Sequence, residues 1–272
     1  NYIIAKKGFF DSLSNEAFAL VNSDQSQSET MVQDTSAKVF TYGINSVADY
    51  KVKILENHFN GLHLNIDGQE LYSKLIGRFN AYNILAAYST AVLLGHDKID
   101  VLTTISNLNS VEGRFEYVKS EKGVVGIVDY AHTPDALENV LKTIKDIRTG
   151  NEMVITVVGC GGDRDSGKRP LMGRIACQFS DQVIFTSDNP RTEDPNYIIE
   201  EMQKGVEPID YKKTVAIPSR KEAIKMAVSI AHAGDILLIA GKGHENYQIV
   251  GDQTLPFDDM EVLNETLKVL DK

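Results

Sequence analysis

The sequence predicts an α/β protein whose second half is a mostly parallel sheet with helices on both faces. Three observations carry that expectation. Short apolar runs ("GVVGIVD", "MVITVVG", "QVIFTSD", "DILLIAG") alternate with helix-like stretches of roughly 10–15 residues, the pattern of strand–helix repeats. Polar, glycine- or proline-bearing clusters directly follow these runs, and ligands collect at the carboxyl ends of strands in such sheets. The chain's 272 residues, 42% hydrophobic and 24% charged, suffice for one large domain or two ordinary ones with a real core.

Taken in order, "NYIIAKKGFFDSL" suits a helix, "EAFALVN" a strand and "SDQSQSET" a polar loop, while "AKVFTYGI" and "YKVKILENHFNGLHLNI" suggest further strands. "NAYNILAAYSTAVLLGH" is apolar, alanine-rich and closed by Gly95, the composition of a helix with a glycine end. "KIDVLTTISNL" reads as another helix, and "VEGRFEYV" as the hinge between domains. After "GVVGIVD" comes the helix "TPDALENVLKTIKDIR", with Pro134 near its start, then the strand "MVITVVG" and the helix "RPLMGRIACQF" with Pro170 in its first turn. The strand "QVIFTSD", the helices "YIIEEMQKG" and "SRKEAIKMAVSIAHA", the strand "DILLIAG" and the helix "DMEVLNETLKVL" complete the expectation. The boundary falls near residue 117, giving regions 1–117 and 118–272.

A net charge of −10 argues against broad nucleic-acid or membrane-surface binding, and no apolar run approaches the roughly 20 residues that span a bilayer. With no signal-like N-terminus, the cytoplasm is the expected address. Cys160 and Cys177 lie on different expected elements and read as reduced thiols. The chain opens on Asn1 rather than Met, inside an expected helix, which suggests a piece of something longer.

The polar clusters carry the chemistry. "VDYAHTP" places Asp129 and His132 at a strand end, where the aspartate either caps the next helix or meets a ribose or metal. "VVGCGGDRDSGKRP" contains GxxxxGK through Gly162, Gly167 and Lys168, but Arg169 stands where a phosphate loop needs Ser or Thr, and Asp163 and Asp165 bring negative charge. The dinucleotide fingerprint fails as well, since Arg164 occupies the place of its last glycine. What remains is a turn expected to expose Arg164, Lys168 and Arg169. In "TSDNPRTEDP", Pro190 stops a sheet ladder and Arg191 offers a planar fork of donors beside Asp188 and Asn189; alone it would be a solvated turn. "AGKGHENYQ" brings Gly241 and Gly243, which admit a close ligand, and Glu245, which can receive an ammonium. Together these loops could line one cleft with both signs of charge, and a small zwitterion is its natural occupant.

"GRFNAYNILAA", "EGRFEYV", "VDYAHTPDAL", "GCGGDRDSGKRPLMG", "SDNPRTEDP" and "AGKGHENYQ", in that order, resemble the Mur ligases over essentially the whole chain. The resemblance implies the later part of an α/β ATPase domain followed by a Rossmann-like amino-acid-binding domain. It also implies ATP-dependent amide synthesis through an acyl phosphate, with ATP and Mg²⁺. The implied substrates are UDP-N-acetylmuramoyl-L-alanyl-D-glutamate and meso-2,6-diaminopimelate. Lys6 matches the family's carbamylated lysine, a metal-holding position. Asn80 and Asn83, one helical turn apart, match positions near the adenine. Arg114 and Asp129 match phosphate and ribose contacts, with His132 near that nucleotide. Arg164, Asp188, Asn189, Pro190, Arg191, Gly241 and Glu245 match the amino-acid-binding positions.

"DNPR" resembles the version of the family that takes diaminopimelate rather than lysine. The charges agree, because Arg191 could grip a distal carboxylate but would repel a distal ammonium. The family's Walker loop and UDP-sugar domain are not in this sequence, so the chain alone is expected not to turn over ATP. A lysine-adding ligase and a non-catalytic nucleotide- or amino-acid-binding module remain as alternatives.

Overall fold

A computed structural model describes residues 2–272, so Asn1 of the first expected helix lies outside the described residues. The chain divides into two compact units, Asn1–Asn109 and Ser110–Lys272.

In the first unit, helix α1 (Tyr2–Asp11) precedes strand β1 (Phe18–Asn22), a short helix α2 (Ser28–Val32) and strands β2 (Lys38–Gly43), β3 (Tyr50–His58), β4 (Gly61–Ile66) and β5 (Gln69–Ser73). These strands form a sheet in the order β1-β2-β3-β4-β5, parallel through β3 and antiparallel beyond. Helix α3 (Arg78–Leu93) buries Ala81, Ile84, Leu85 and Tyr88 against Val52, Leu62, Leu64 and Ile66, and α4 (Lys98–Ser106) adds Leu102 and Ile105. Alternation along β4, apolar inward and half-exposed outward, marks a sheet with one covered face. The segment "SDQSQSET" is part loop and part helix, since α2 begins at Ser28. Strand β5 has no apolar alternation strong enough to be seen in sequence.

The second unit is a six-stranded sheet in the order β10-β9-β8-β11-β7-β6. Its strands are β6 (Glu116–Lys119), β7 (Val125–Asp129), β8 (Val154–Cys160), β9 (Gln182–Ser187), β10 (Thr214–Ala216) and β11 (Ile236–Ala240). Only β6 runs antiparallel to its neighbour. It pairs with β7, so "VEGRFEYV", expected as a hinge, belongs to the second unit. Strands β7, β8 and β11 are buried at every position, which explains why they read as unbroken apolar runs.

Helices α5 (Pro134–Ile147), α6 (Lys168–Phe179) and α7 (Pro195–Gln203) follow β7, β8 and β9, and α8 (Arg220–Ile230) follows β10. Each of the first three connections steps the same way along the sheet, so right-handed crossover puts α5, α6 and α7 on one face. The return from β10 to β11 reverses direction and carries α8 to the other. Packing agrees: α6 contacts α5 and α7, whereas α8 packs on α9 (Asp259–Val269). Between α8's strand β11 and α9 lies a hairpin of β12 (Tyr247–Val250) and β13 (Gln253–Pro256), too short and polar to be legible in sequence. Adjacent β8 and β11 therefore send their chains to opposite faces, and a crevice opens at their carboxyl ends.

Candidate functional site

The loop after β8 is stapled to the loop after β9. Gly162 N donates to the Asn189 carbonyl at 2.9 Å, and Asp163 accepts from Thr192 N at 3.2 Å and Thr192 Oγ1 at 2.8 Å. A Cβ on Gly162 would lie 1.9 Å from the Pro190 carbonyl oxygen, so no larger residue allows this approach. Arg169, expected to be exposed, is only 1% exposed. Its guanidinium donates to Glu193 at 2.8 Å and Glu201 at 2.6 Å and to the Gly161 carbonyl at 3.3 Å, and burial follows because these partners neutralise it. Thus Asp163 and Arg169, the residues that spoil a phosphate loop in sequence, hold two site loops together.

At the tip of β9, Asp188 and Asn189 are buried. Asn189 Nδ2 donates to Glu245 Oε2 at 2.9 Å, joining β9's loop to β11's. Lys242, beside Gly241, lies 3.2 Å from Asp188 Oδ1 and donates to Asn189 Oδ1 at 2.9 Å. Gly241 has φ +122, and a Cβ there would sit 3.1 Å from Asp188 Oδ2, so the glycine lets the aspartate stay close. Pro190 is buried and its carbonyl accepts from Glu193 N.

Arg191 adopts φ +52, a left-handed conformation uncommon for a side-chain-bearing residue. Its backbone is held there by the hairpin: its N–H donates to Ile249 O at 3.1 Å and its carbonyl accepts from Gly251 N at 2.7 Å. Its side chain lies over the glycine loop, Nη1 donating to Gly162 O at 2.8 Å. The guanidinium is half-buried, not turned out to bulk solvent. Arg164 is exposed and donates to the Asp163 carbonyl at 3.2 Å.

At the tip of β7, Asp129 accepts from Phe115 N at 2.7 Å and from Ala131 N. Burial pushes its carboxyl above the usual range, against the opposing pull of those donors and Arg114. Arg114 stacks its guanidinium 4.8 Å from the Tyr130 ring centre. His132 Nδ1 lies 2.9 Å from the Tyr130 carbonyl. A carbonyl only accepts, so Nδ1 is the donor in this contact. Lys168 donates to the His132 carbonyl at 2.8 Å, tying β8's loop to β7's. Thr133, not Asp129, caps α5.

In the first unit, Asn80 and Asn83 share one face of α3, Asn83 Nδ2 donating to Asn80 Oδ1 at 3.1 Å. Asn80 is itself fixed by donating to Ile76 O at 2.8 Å. Lys6 is exposed on α1, next to Lys7, which pairs with Asp11 and Asp34. Among the described residues, no three or more His, Cys, Asp or Glu side chains gather to hold a metal. Cys160 and Cys177 are buried free thiols, and burial pushes Cys160 up to about 12, too high for a thiolate nucleophile. No helix among the described residues is long and apolar enough to cross a membrane.

The fold thus brings Asp188, Asn189, Arg191, Gly241 and Glu245 together, and it leaves Arg164 exposed. Sequence reasoning missed Lys242 and the buried pair of Arg220 with Asp259, whose oxygens accept at 2.7 and 2.6 Å while Arg220 also donates to Ala240 O beneath the site. A lysine between two glycines straight after a buried strand was the available signal for Lys242; nothing local marks Arg220.

The family description "Mur ligase middle domain" matches residues 1–91, and "Mur ligase, glutamate ligase domain" matches residues 113–243. The UDP-N-acetylmuramoyl-L-alanyl-D-glutamate--2,6-diaminopimelate ligase of Cytophaga hutchinsonii is 52% identical over 271 residues, covering 100% of this chain and 56% of that protein. Its counterpart in Bacteroides thetaiotaomicron is 51% identical over 265 residues, 97% of this chain and 55% of that protein. The chain therefore spans little more than half the length of these relatives. A solved structure of a UDP-N-acetylmuramoyl-L-alanyl-D-glutamate--2,6-diaminopimelate ligase superposes with a TM-score of 0.65 at 36% identity, over 100% of this chain and 57% of that one. Folylpolyglutamate synthase from Thermotoga maritima shares the fold at 19% identity, with a TM-score of 0.63 over 82% of this chain and 50% of its own. With both domain descriptions matched in order and a relative 52% identical along the whole chain, the chain belongs to the Mur ligase family.

Proposed function

We propose that this chain is the amino-acid-handling part, with a share of the nucleotide contacts, of an ATP-dependent ligase that adds meso-2,6-diaminopimelate to UDP-N-acetylmuramoyl-L-alanyl-D-glutamate in cytoplasmic peptidoglycan precursor synthesis. The observation that carries it is the meeting of Arg191, Asn189 and Glu245 at the carboxyl ends of β8, β9 and β11. The relatives named above, similar along the whole chain, support the same reading.

The crevice suits one zwitterionic end of a diamino diacid. Its carboxylate meets Arg191 and the spare N–H of Asn189, and its ammonium meets Glu245 and Asp188. An ammonium paired with carboxylates keeps its proton and is no nucleophile, so the end held here is the one that does not react. The other amine is left free to attack the acyl phosphate of the D-glutamate. Arg164, exposed on the β8 loop, is assigned to the second carboxylate. Lysine would set a bare ammonium against Arg191. Asn80 and Asn83 are assigned to adenine, Arg114 to phosphate, Asp129 to ribose, and His132 to a place beside the nucleotide. ATP and Mg²⁺ are the family's co-reactants; phosphoryl activation is their contribution, and Lys6, once carbamylated, would be this chain's metal-facing group.

Calorimetric titration of the full-length protein with diaminopimelate and with lysine tests the reading. Equal affinity for the two would overturn the role of Arg191, and no ATP-dependent consumption of either would overturn the ligase assignment.

A further inference from the structure

One cation in the crevice is sealed from solvent. Lys242 is 0% exposed, and its ammonium donates to Asn189 Oδ1 at 2.9 Å and to the Tyr247 carbonyl at 2.7 Å. It also lies 3.2 Å from Asp188 Oδ1 and 3.6 Å from Glu245 Oε2. A buried ammonium is tolerated only when such partners surround it. A primary amide, for its part, has nearly isosteric O and NH₂ ends, and its partners decide which way it faces. Here Oδ1 of Asn189 accepts from both Lys242 and Ile249 N, the latter at 2.9 Å, so both of its lone pairs are used. Nδ2 must then face Glu245, with its second N–H to spare.

We infer that Lys242 is a positioning residue for amino-acid recognition: it locks the Asn189 amide with its NH₂ toward the ligand and offsets one of the two carboxylates beside it. The inference rests on the amino-acid-binding role proposed above. With Lys242 in place the pair Asp188 and Glu245 carries one net negative charge, matched to one ligand ammonium. With Asn189 locked, a donor rather than an acceptor is offered to the adjoining ligand carboxylate. Without Lys242 only Ile249 N still holds the Asn189 oxygen, so the amide is fixed less firmly, and the buried Asp188 loses the cation beside it. Ligands with an amine but no neighbouring carboxylate gain nothing from this arrangement, so Lys242 acts on selectivity for an amino-acid head group rather than for amines at large.

The test is a double-mutant cycle in the full-length protein: Lys242→Met, Asn189→Ala and both together, with KM for diaminopimelate, KM for ATP and kcat measured for each. Lys242→Met is expected to raise KM for diaminopimelate roughly 30-fold or more, with KM for ATP within about threefold. In the Asn189→Ala background the same change should cost clearly less than in the wild type, because the amide it holds is gone and only the charge offset remains to be lost. Lys242→Gln, which keeps an N–H donor without the charge, should recover part of the loss. It also replaces Lys242→Met in the cycle if melting curves show that the methionine variant does not fold. An unchanged KM for diaminopimelate, or losses that multiply in the double variant, would overturn the inference. If the wild-type protein consumes no diaminopimelate with ATP, the underlying function fails instead; wild-type turnover with multiplying losses sinks only the role of Lys242.

Discussion

Arg191 donates from Nη1 to the carbonyl of Gly162 at 2.8 Å, so a guanidinium from the β9 loop lies across the glycine turn of the β8 loop. Nη1 also reaches the Asn189 carbonyl at 3.4 Å, which leaves Nε and Nη2 as donors for a ligand. Replacing Arg191 by Ala should weaken diaminopimelate binding about 10- to 100-fold, the range for losing a charge-assisted contact. Lysine binding should improve or stay level. Titration calorimetry on the full-length protein with both amino acids reads the two effects directly.

Gly162→Ala should separate the two loops that Arg191 spans. The added methyl would meet the Pro190 carbonyl oxygen at 1.9 Å, and backbone rather than a flexible side chain must move. A loss of about 1–3 kcal/mol in unfolding free energy is expected, together with a raised KM for the amino acid. A variant with wild-type denaturation midpoint and KM would show that the loops are not tightly joined.

Glu193→Gln removes one of the two carboxylates that neutralise Arg169, whose guanidinium is almost fully enclosed. Glu201 remains, and Glu193 is itself 27% exposed, so the loss should stay near 2 kcal/mol, below that of breaking a dry pair. Arg169→Met, which leaves both carboxylates without their cation, should be worse than Glu193→Gln. Urea denaturation of the two variants ranks them, and the reverse order would contradict the pairing seen here.

Glu152 supplies a pH signature. Burial opposes its ionisation, but hydrogen bonds from Thr149 Oγ1 at 2.7 Å, Thr149 N at 3.1 Å and Gly150 N at 2.9 Å outweigh it and hold its carboxyl at about 2. A folded-state value below the unfolded one gives stability that is present above the unfolded value, 4.5, and lost as pH falls through about 2. Glu152→Gln should therefore be less stable than wild type at neutral pH. The gap should close between about pH 4.5 and 2 when melting temperatures are compared across that window. A gap that is constant with pH would remove the carboxylate from the account.

Much of the second unit was legible because β7, β8, β9 and β11 are buried at nearly every position and so are mostly apolar, while Pro134 and Pro170 sit in first turns where a missing N–H does no harm. Strands β5, β10, β12 and β13 escaped notice, being short and largely exposed, so solvent put little constraint on their residue types. Arg169 was misread for a related reason: a charged residue in a polar loop looks solvated until Glu193 and Glu201, distant in sequence, come to neutralise it.

The sequence by itself determined the strand–helix order, the polar clusters at strand ends and the family motifs, since these depend on local periodicity and on residue types a few positions apart. Tertiary structure alone decided which charges meet. Asp188, Lys242 and Glu245 become one network only because β9 and β11 flank β8 in the sheet, and electrostatic pairing falls off over a few ångströms that no sequence spacing reports.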